Sequence, residues 1–369
     1  MPGRTSPRIP SPFFLPAEWE RHDATWIGWP HNSSDWPGKF AAIAWVYAEI
    51  VRRLVPGERV RVLVNSAAHE RRALGILRRA GIGLEDVEFF RIPTDRGWTR
   101  DFGPIFVRRS GNRGGEIAVA GFRFNGWAKY PNCRLDAAAG HEITRRLGLR
   151  YLPVQAFGRD VVLEGGAIDV NGRGTLVTTE ECLLDPQVQP RNPGLTRRQI
   201  EQLLGRALGA AHVLWLGRGI AGDDTHGHVD DLCRFAGPRT LVLCRESNPH
   251  DSNYRPLEEN WERLQDARLE DGSKPEVVPL PMPAPLQFQG RRLPASYANF
   301  YISNAAVLAP TFNDPNDRTA LGMLAELFPD RPVVGIHAVD LVWGLGTLHC
   351  LTQQQPAAAP PNPSPKICP

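Results

Sequence analysis

The sequence predicts an α/β fold, and three observations carry that reading. Helix-period apolar patterns alternate with short strand-like runs along most of the chain. The last five helical patterns recur at intervals of roughly 60 residues, with two or three strand runs in each interval, which points to repeated units of strands plus one helix. Tight-turn signals join many neighbouring runs, so those strands pair antiparallel and a purely parallel sheet does not fit.

Helical patterns fall at about residues 38–54, 67–80, 136–147, 195–208, 254–270 and 316–328. The fourth carries a start signal, Leu195-Thr196, followed by Ile200, Leu203, Leu204 and Leu208 on one side. Strand runs fall at 59–64, 87–92, 117–124, 161–164, 174–179, 212–216, 232–235, 240–244, 277–280, 300–303, 307–310 and 333–336. Asn171-Gly172 reads as a hairpin turn, and Gly237-Pro238 marks another. Proline-rich ends predict disorder over 1–12 and 357–369, leaving a single domain over 13–356.

Composition narrows the function classes. The chain has 369 residues, 42% hydrophobic and 22% charged, as a soluble globular protein does. A net charge of +3, without a dense basic block, gives no support to nucleic-acid or membrane binding. No apolar run approaches the roughly 20 residues of a membrane span, and residues 1–12 do not read as a signal peptide. None of the six cysteines forms a CxxC pair, so reduced thiols and a cytoplasmic location are expected.

Five segments concentrate chemistry. Asp223-Asp-Thr-His226-Gly-His228-Val-Asp230-Asp231 packs four acids and two histidines into nine positions. Asp224, His226, His228 and Asp230 alternate, so a strand would face all four to one side, whereas a loop could let them converge. They suit a divalent metal, or a histidine acid/base beside carboxylates that bind a cation, or a merely solvated acidic turn. Trp98-Thr-Arg100-Asp101-Phe-Gly-Pro104 offers an aromatic face for a flat cation and a carboxylate for a guanidinium; a structural ion pair before a turn reads equally well. Glu164-Gly-Gly166 ends an apolar run, Asn299 can supply an amide, and Cys350 follows Gly344 and Gly346. A lone cysteine distant from a histidine cluster is how a cysteine-nucleophile enzyme reads in sequence, although a buried inert thiol reads the same way.

Taken in order, these segments resemble the agmatine deiminase and bacterial-type peptidyl-arginine deiminase family of guanidine-modifying enzymes. The motifs run from about residue 14 to 356: Leu15-Pro-Ala-Glu-Trp19, Trp26-Ile-Gly-Trp29-Pro-His31, Trp98-Thr-Arg-Asp101, Phe124-Asn-Gly-Trp127, Glu164-Gly-Gly, Arg191-Asn-Pro, the histidine cluster, Tyr297-Ala-Asn299-Phe and His349-Cys350-Leu-Thr-Gln. The resemblance implies a five-bladed α/β propeller with pseudo-fivefold repeats around a central active-site channel. It implies metal-independent hydrolysis of a guanidine without a cofactor. By this resemblance Cys350 is the nucleophile, His228 the acid/base, Asp101 and Asp230 the grip on the guanidinium, and Glu164 an orienting carboxylate. Trp98, Asp224 and Asn299 are expected at the substrate.

The chain departs from the family pattern at Arg96, where Asp is usual, at His226, where Asp or Asn is usual, at Ala128, and in a glycine run thinned to Gly344-Leu345-Gly346-Thr347. Arg96 and His226 are therefore expected to bear on substrate choice, and Arg123 is a further cation nearby. Agmatine going to N-carbamoylputrescine and ammonia is the reaction expected. Arginine or peptidyl-arginine deimination is the rival, and a metallohydrolase built on the Asp/His cluster the distant one. The partner expected is a small guanidino molecule, with neither nucleic acid nor membrane, and a homodimer is the assembly expected.

Overall fold

The computed structural model describes residues 12–109 and 115–358. The ends expected to be disordered lie outside that range, apart from Pro12, Ala357 and Ala358. Among the described residues the chain forms five sheets of three or four strands and two isolated hairpins.

The five sheets share one plan. A leading strand pairs antiparallel with a second, a helix crosses over, and a third strand pairs parallel with the second. The leading and second strands are Asp169–Val170 with Thr175–Thr179, Cys233–Phe235 with Thr240–Arg245, Tyr301–Ile302 with Val307–Thr311, and Ile105–Arg109 with Ile117–Gly121. Helices Arg197–Leu208, Tyr254–Gln265, Asn316–Leu327 and Arg134–Arg146 then lead to the parallel strands His212–Leu216, Glu276–Pro281, Val333–His337 and Arg150–Pro153. In the fifth sheet the leading strand is the last among the described residues, Thr352–Pro356, antiparallel to His22–Gly28. Helices Phe40–Leu54 and Ala67–Arg79 then place Arg59–Val64 and Val87–Arg91 in parallel beyond it. A tight turn can only reverse the chain, whereas a parallel neighbour needs a crossover, so one unit contains both pairings.

Local chemistry explains the elements. Helix Arg197–Leu208 buries Ile200, Leu203, Leu204 and Leu208, opens on a Thr196/Gln199 capping box and stops at Gly209 with φ 70°. A cap of this kind contributes about 1 kcal/mol. The hairpin at Asn171-Gly172 sets Asp169 opposite Val177, with Gly172 at φ 69°.

One strand expectation fails and one strand goes unannounced, each for an identifiable reason. Residues 161–164 form only a single bridge, Arg123 to Val162, because a 3₁₀ turn at Gly165–Ala167 diverts the chain at once. Thr352–Pro356 is a strand with no apolar run to announce it. Its glutamines are instead held by specific partners, Gln355 by Trp26 and Arg61, Gln354 by Arg100, and Gln353 by the Pro104 carbonyl. The helix expected over 254–270 ends at Gln265.

Candidate active site

Each of the five leading strands is preceded by one part of the site. Asp101 lies in the short helix Thr99–Phe102 ahead of Ile105–Arg109. Glu164 leads into the 3₁₀ turn ahead of Asp169–Val170, and Asp230 lies in the turn Val229–Asp231 ahead of Cys233–Phe235. Asn299 directly precedes Tyr301–Ile302, and Cys350 lies in the short helix Leu348–Leu351 ahead of Thr352–Pro356. The repeated unit thus sets five chain-distant segments at equivalent places.

Cys350 is buried, and its thiol accepts from Asn299 Nδ2 at 3.2 Å and lies 3.7 Å from Asp230 Oδ2. Asn299 is itself held fast: its Oδ1 accepts from Thr347 Oγ1 at 2.8 Å and the His349 N–H at 3.1 Å, and its Nδ2 also donates to Asp231 at 2.9 Å. Gly346 is required by close approach, since a Cβ there would stand 2.9 Å from the Trp98 ring and 3.2 Å from the Cys350 sulfur.

Asp101 receives Trp127 Nε1 at 2.9 Å on one oxygen and the Gly166 N–H at 3.1 Å on the other. His228 Nδ1 is 3.8 Å from Asp101, and His228 Nε2 is 3.9 Å from Glu164. Arg191 holds the other Glu164 oxygen at 3.0 Å in a fully buried pair. A Cβ at Gly166 would fall 2.6 Å from His228 Nδ1, 2.9 Å from Asp101 Oδ1 and 3.1 Å from Asp230 Oδ2, so a side chain there would fill the space these three share. Both ring nitrogens of His228, Glu164 Oε2 and Asp230 Oδ1 are buried without a hydrogen-bond partner among the described residues. Orphaned buried polar atoms of this kind are costly, and a ligand that satisfies them recovers that cost.

The electrostatics follow from burial and this clustering of acids. Burial, then the charges of Asp230, Asp231 and Asp101, push the Cys350 thiol well above its ordinary range, against the Asn299 hydrogen bond. Burial also lifts Asp101 to about 6, helped by Asp230 and Glu164 and opposed by His228 and Trp127. Burial would depress His228, but Asp101, the Cys182 thiol and Glu164 outweigh it and hold the imidazole well above its usual value. Glu164 is held at about 2 in spite of burial, chiefly by Arg191 and His228. The ligand-free protein is therefore expected to keep Cys350 as a thiol at pH 7. Thiolate absorbance followed through a pH titration checks this, and a full thiolate signal at neutral pH would refute it.

A cavity of about 180 Å³ reaches Asp101 and Cys350, walled by Asp35, Arg96, Trp98, Trp127, Tyr130, Asp224 and Arg291, among others. Asp224 is engaged by Lys129 at 2.6 Å, Tyr130 at 2.5 Å and Arg291 at 2.9 Å. Arg96 donates to Asn132, lies over the Tyr130 ring and stands 3.6 Å from Asp35, whose Oδ2 has no partner among the described residues.

The histidine cluster does not converge on one point. Backbone φ values of 64° at His226 and 88° at Gly227 break the alternation. Asp224 goes to the cavity wall, His228 faces Asp101 and Glu164, Asp230 pairs with His349, and His226 bonds Asp185 at 2.9 Å. His226 is not among the residues that wall this cavity. His226 thus holds a left-handed conformation that Asp and Asn tolerate best after glycine. Potential metal ligands cluster as Glu164, Cys182 and His228, and as Asp230, Asp231 and Cys350; His226 belongs to neither group.

Reading the sequence missed Glu18, Arg191, Asp231, Arg234 and His349 as site components. Glu18, Arg191, Asp231 and His349 stand inside motifs already noted, but no spacing rule links Glu18 to His349 across the chain. No helix among the described residues is long and apolar enough to cross a membrane.

Comparison with known proteins accords with this geometry. The model of the Porphyromonas-type peptidyl-arginine deiminase family matches residues 14–356. The agmatine deiminase of Medicago truncatula is 36% identical, over 94% of this chain and 96% of that protein. The solved agmatine deiminase of Enterococcus faecalis superposes with a TM-score of 0.85 at 28% identity, covering 96% of this chain and all of that one (100%). A C. jejuni agmatine deiminase with a cysteine-to-serine substitution and bound substrate gives 0.81 at 29% identity, covering 93% of this chain and 96% of that one. With five segments of one repeated plan bringing a thiol, an imidazole and a set of carboxylates together, the chain belongs to the Porphyromonas-type peptidyl-arginine deiminase family.

Proposed function

We propose that the protein is a guanidine hydrolase that converts agmatine and water to N-carbamoylputrescine and ammonia. The observation that carries this reading is the thiol of Cys350 beside two carboxylates, Asp101 and Asp230, of which Asp230 keeps a buried oxygen free. A guanidinium is planar and delocalised, and two fixed carboxylates match its N–H groups and hold its carbon toward the sulfur.

The cation also lowers the cost of a thiolate in an acidic pocket, so Cys350 gives up its proton to solvent and becomes the nucleophile on substrate binding. The sulfur then bonds the guanidinium carbon, and the tetrahedral adduct collapses as ammonia leaves with a proton from His228. In the second half His228 takes a proton from water, the hydroxyl adds to the amidino-thioether carbon, and the C–S bond breaks to give the ureido product and free thiol. Glu164, anchored by Arg191, steadies the imidazole through both transfers. Trp98, Trp127 and Tyr130 give the alkyl chain an aromatic wall, and Asp35, whose Oδ2 has no partner among the described residues, can accept from a terminal ammonium.

Arg96 and Arg291 on the same wall favour a second reading, in which the substrate carries a carboxylate, as arginine does. Ammonia release and ureido colour measured on agmatine, arginine and a short arginine peptide separate the two. Agmatine is expected to give the highest kcat/KM; preference for arginine or the peptide would replace it.

The five sheets of common plan, with Thr352–Pro356 completing the sheet of His22–Gly28, also support a five-bladed propeller with this cavity as its central channel.

A further inference from the structure

We propose that His349, neighbour of the nucleophile, is a positioning residue, bridged between Glu18 and Asp230 so that Asp230 stays ionised and presents its free oxygen to the guanidinium. This deepens the deiminase reading and rests on it.

His349 is 2% exposed, with Nδ1 2.6 Å from Asp230 Oδ2 and Nε2 2.9 Å from Glu18 Oε2. A carboxylate can only accept, so with both acids ionised each ring nitrogen must carry the proton it shares, and the ring is a cation between two anions. Glu18 is an anchor of unusual rigidity: its oxygens also accept from Arg100 at 3.1 Å, Arg234 at 3.0 Å and the Ile302 N–H at 2.7 Å. Arg234 in turn bonds Asp169 at 2.9 Å. The far end of the bridge is therefore fixed by three sheets, and the near end can hold Asp230 in one orientation. That orientation turns Oδ2 to the imidazole and leaves Oδ1 buried and unpartnered for the substrate.

Asp230 would suffer without this bridge. Burial raises its carboxyl, but His349 foremost, then His228 and Arg234, outweigh burial and hold it below its ordinary value. Binding a guanidinium needs Asp101 and Asp230 ionised together. Loss of His349 makes that doubly ionised pair appear only at higher pH, so the acid limb of kcat/KM moves up.

The test compares wild type, His349→Asn and Glu18→Gln, each checked for folding by circular dichroism. His349→Asn is expected to raise KM by about 10- to 100-fold, the range of one hydrogen bond to an ionised group, and to move the acid limb to higher pH. Glu18→Gln keeps an acceptor but removes the charge, and is expected to move the limb the same way by less. A merely structural role would lower activity equally at every pH. Folded variants with the wild-type limb and KM would overturn the proposal. Nitrogen-15 histidine spectra of the wild type provide an arm that needs no variant to fold: both ring nitrogens of His349 should carry protons at pH 7, and a neutral tautomer would overturn the bridge. A wild type inert toward every guanidine sinks the deiminase reading as well, whereas turnover with an unmoved limb sinks this inference alone.

Discussion

Replacement of Cys350 by Ala is expected to lower turnover of the preferred guanidine by about 10⁴-fold or more, since removal of a nucleophile in a concerted constellation forfeits nearly all of its chemistry. Binding should survive, because the carboxylates that grip the cation are untouched and the lost side chain is small. Calorimetry of substrate binding to Cys350→Ala, beside steady-state kinetics of the wild type, checks both halves. The wild type should also keep its activity in excess chelator. Survival of activity in Cys350→Ala, together with its loss to chelator, would favour the metallohydrolase alternative. The cluster of Glu164, Cys182 and His228 would then be the place to look for an ion, as its ligand atoms lie within 4.8 Å of one another.

The largest effect on stability is expected from Arg234→Ala, at about 3–5 kcal/mol, the usual cost of breaking a buried ion pair by removing one partner. Arg234 is fully buried (0% exposed) between Glu18 at 3.0 Å and Asp169 at 2.9 Å and also donates to the Phe300 carbonyl at 2.7 Å. Its loss leaves Glu18 and Asp169 each short of a charge partner within the protein. Arg239→Ala is the comparison, because Arg239 meets Asp271 with the arginine 62% exposed, and exposed pairs contribute about 0–1 kcal/mol. Guanidinium unfolding midpoints for the two variants measure the difference. Equal midpoints would mean that the buried network bears little on stability.

The two residues also mark where the sequence could be read and where it could not. Cys350, His228, Asp101 and Asp230 lie in dense motifs, and the structure brings them together. Asp101, Glu164, Asp230, Asn299 and Cys350 recur roughly every 60 residues, close to the helix interval, because each sits just ahead of a leading strand in the same unit. Helix periodicity exposed that unit, since an amphipathic face repeats every 3.6 residues whatever it packs against. The polar strand Thr352–Pro356 and the Glu18 anchor left no such trace, as their stability comes from partners hundreds of residues away.

His226 illustrates the limit most sharply. In the sequence it stands two residues from His228 and looks like its companion, whereas its left-handed backbone turns it to Asp185. The sequence by itself determined the α/β class, the repeat near 60 residues and which residue types carry the chemistry, because periodicity and residue type are local properties. Only the tertiary structure decided which of those residues come together, that His349 bridges Glu18 and Asp230, and that His226 turns to Asp185. Side-chain direction depends on backbone dihedrals, and long-range pairing depends on packing, and no spacing along the chain encodes either.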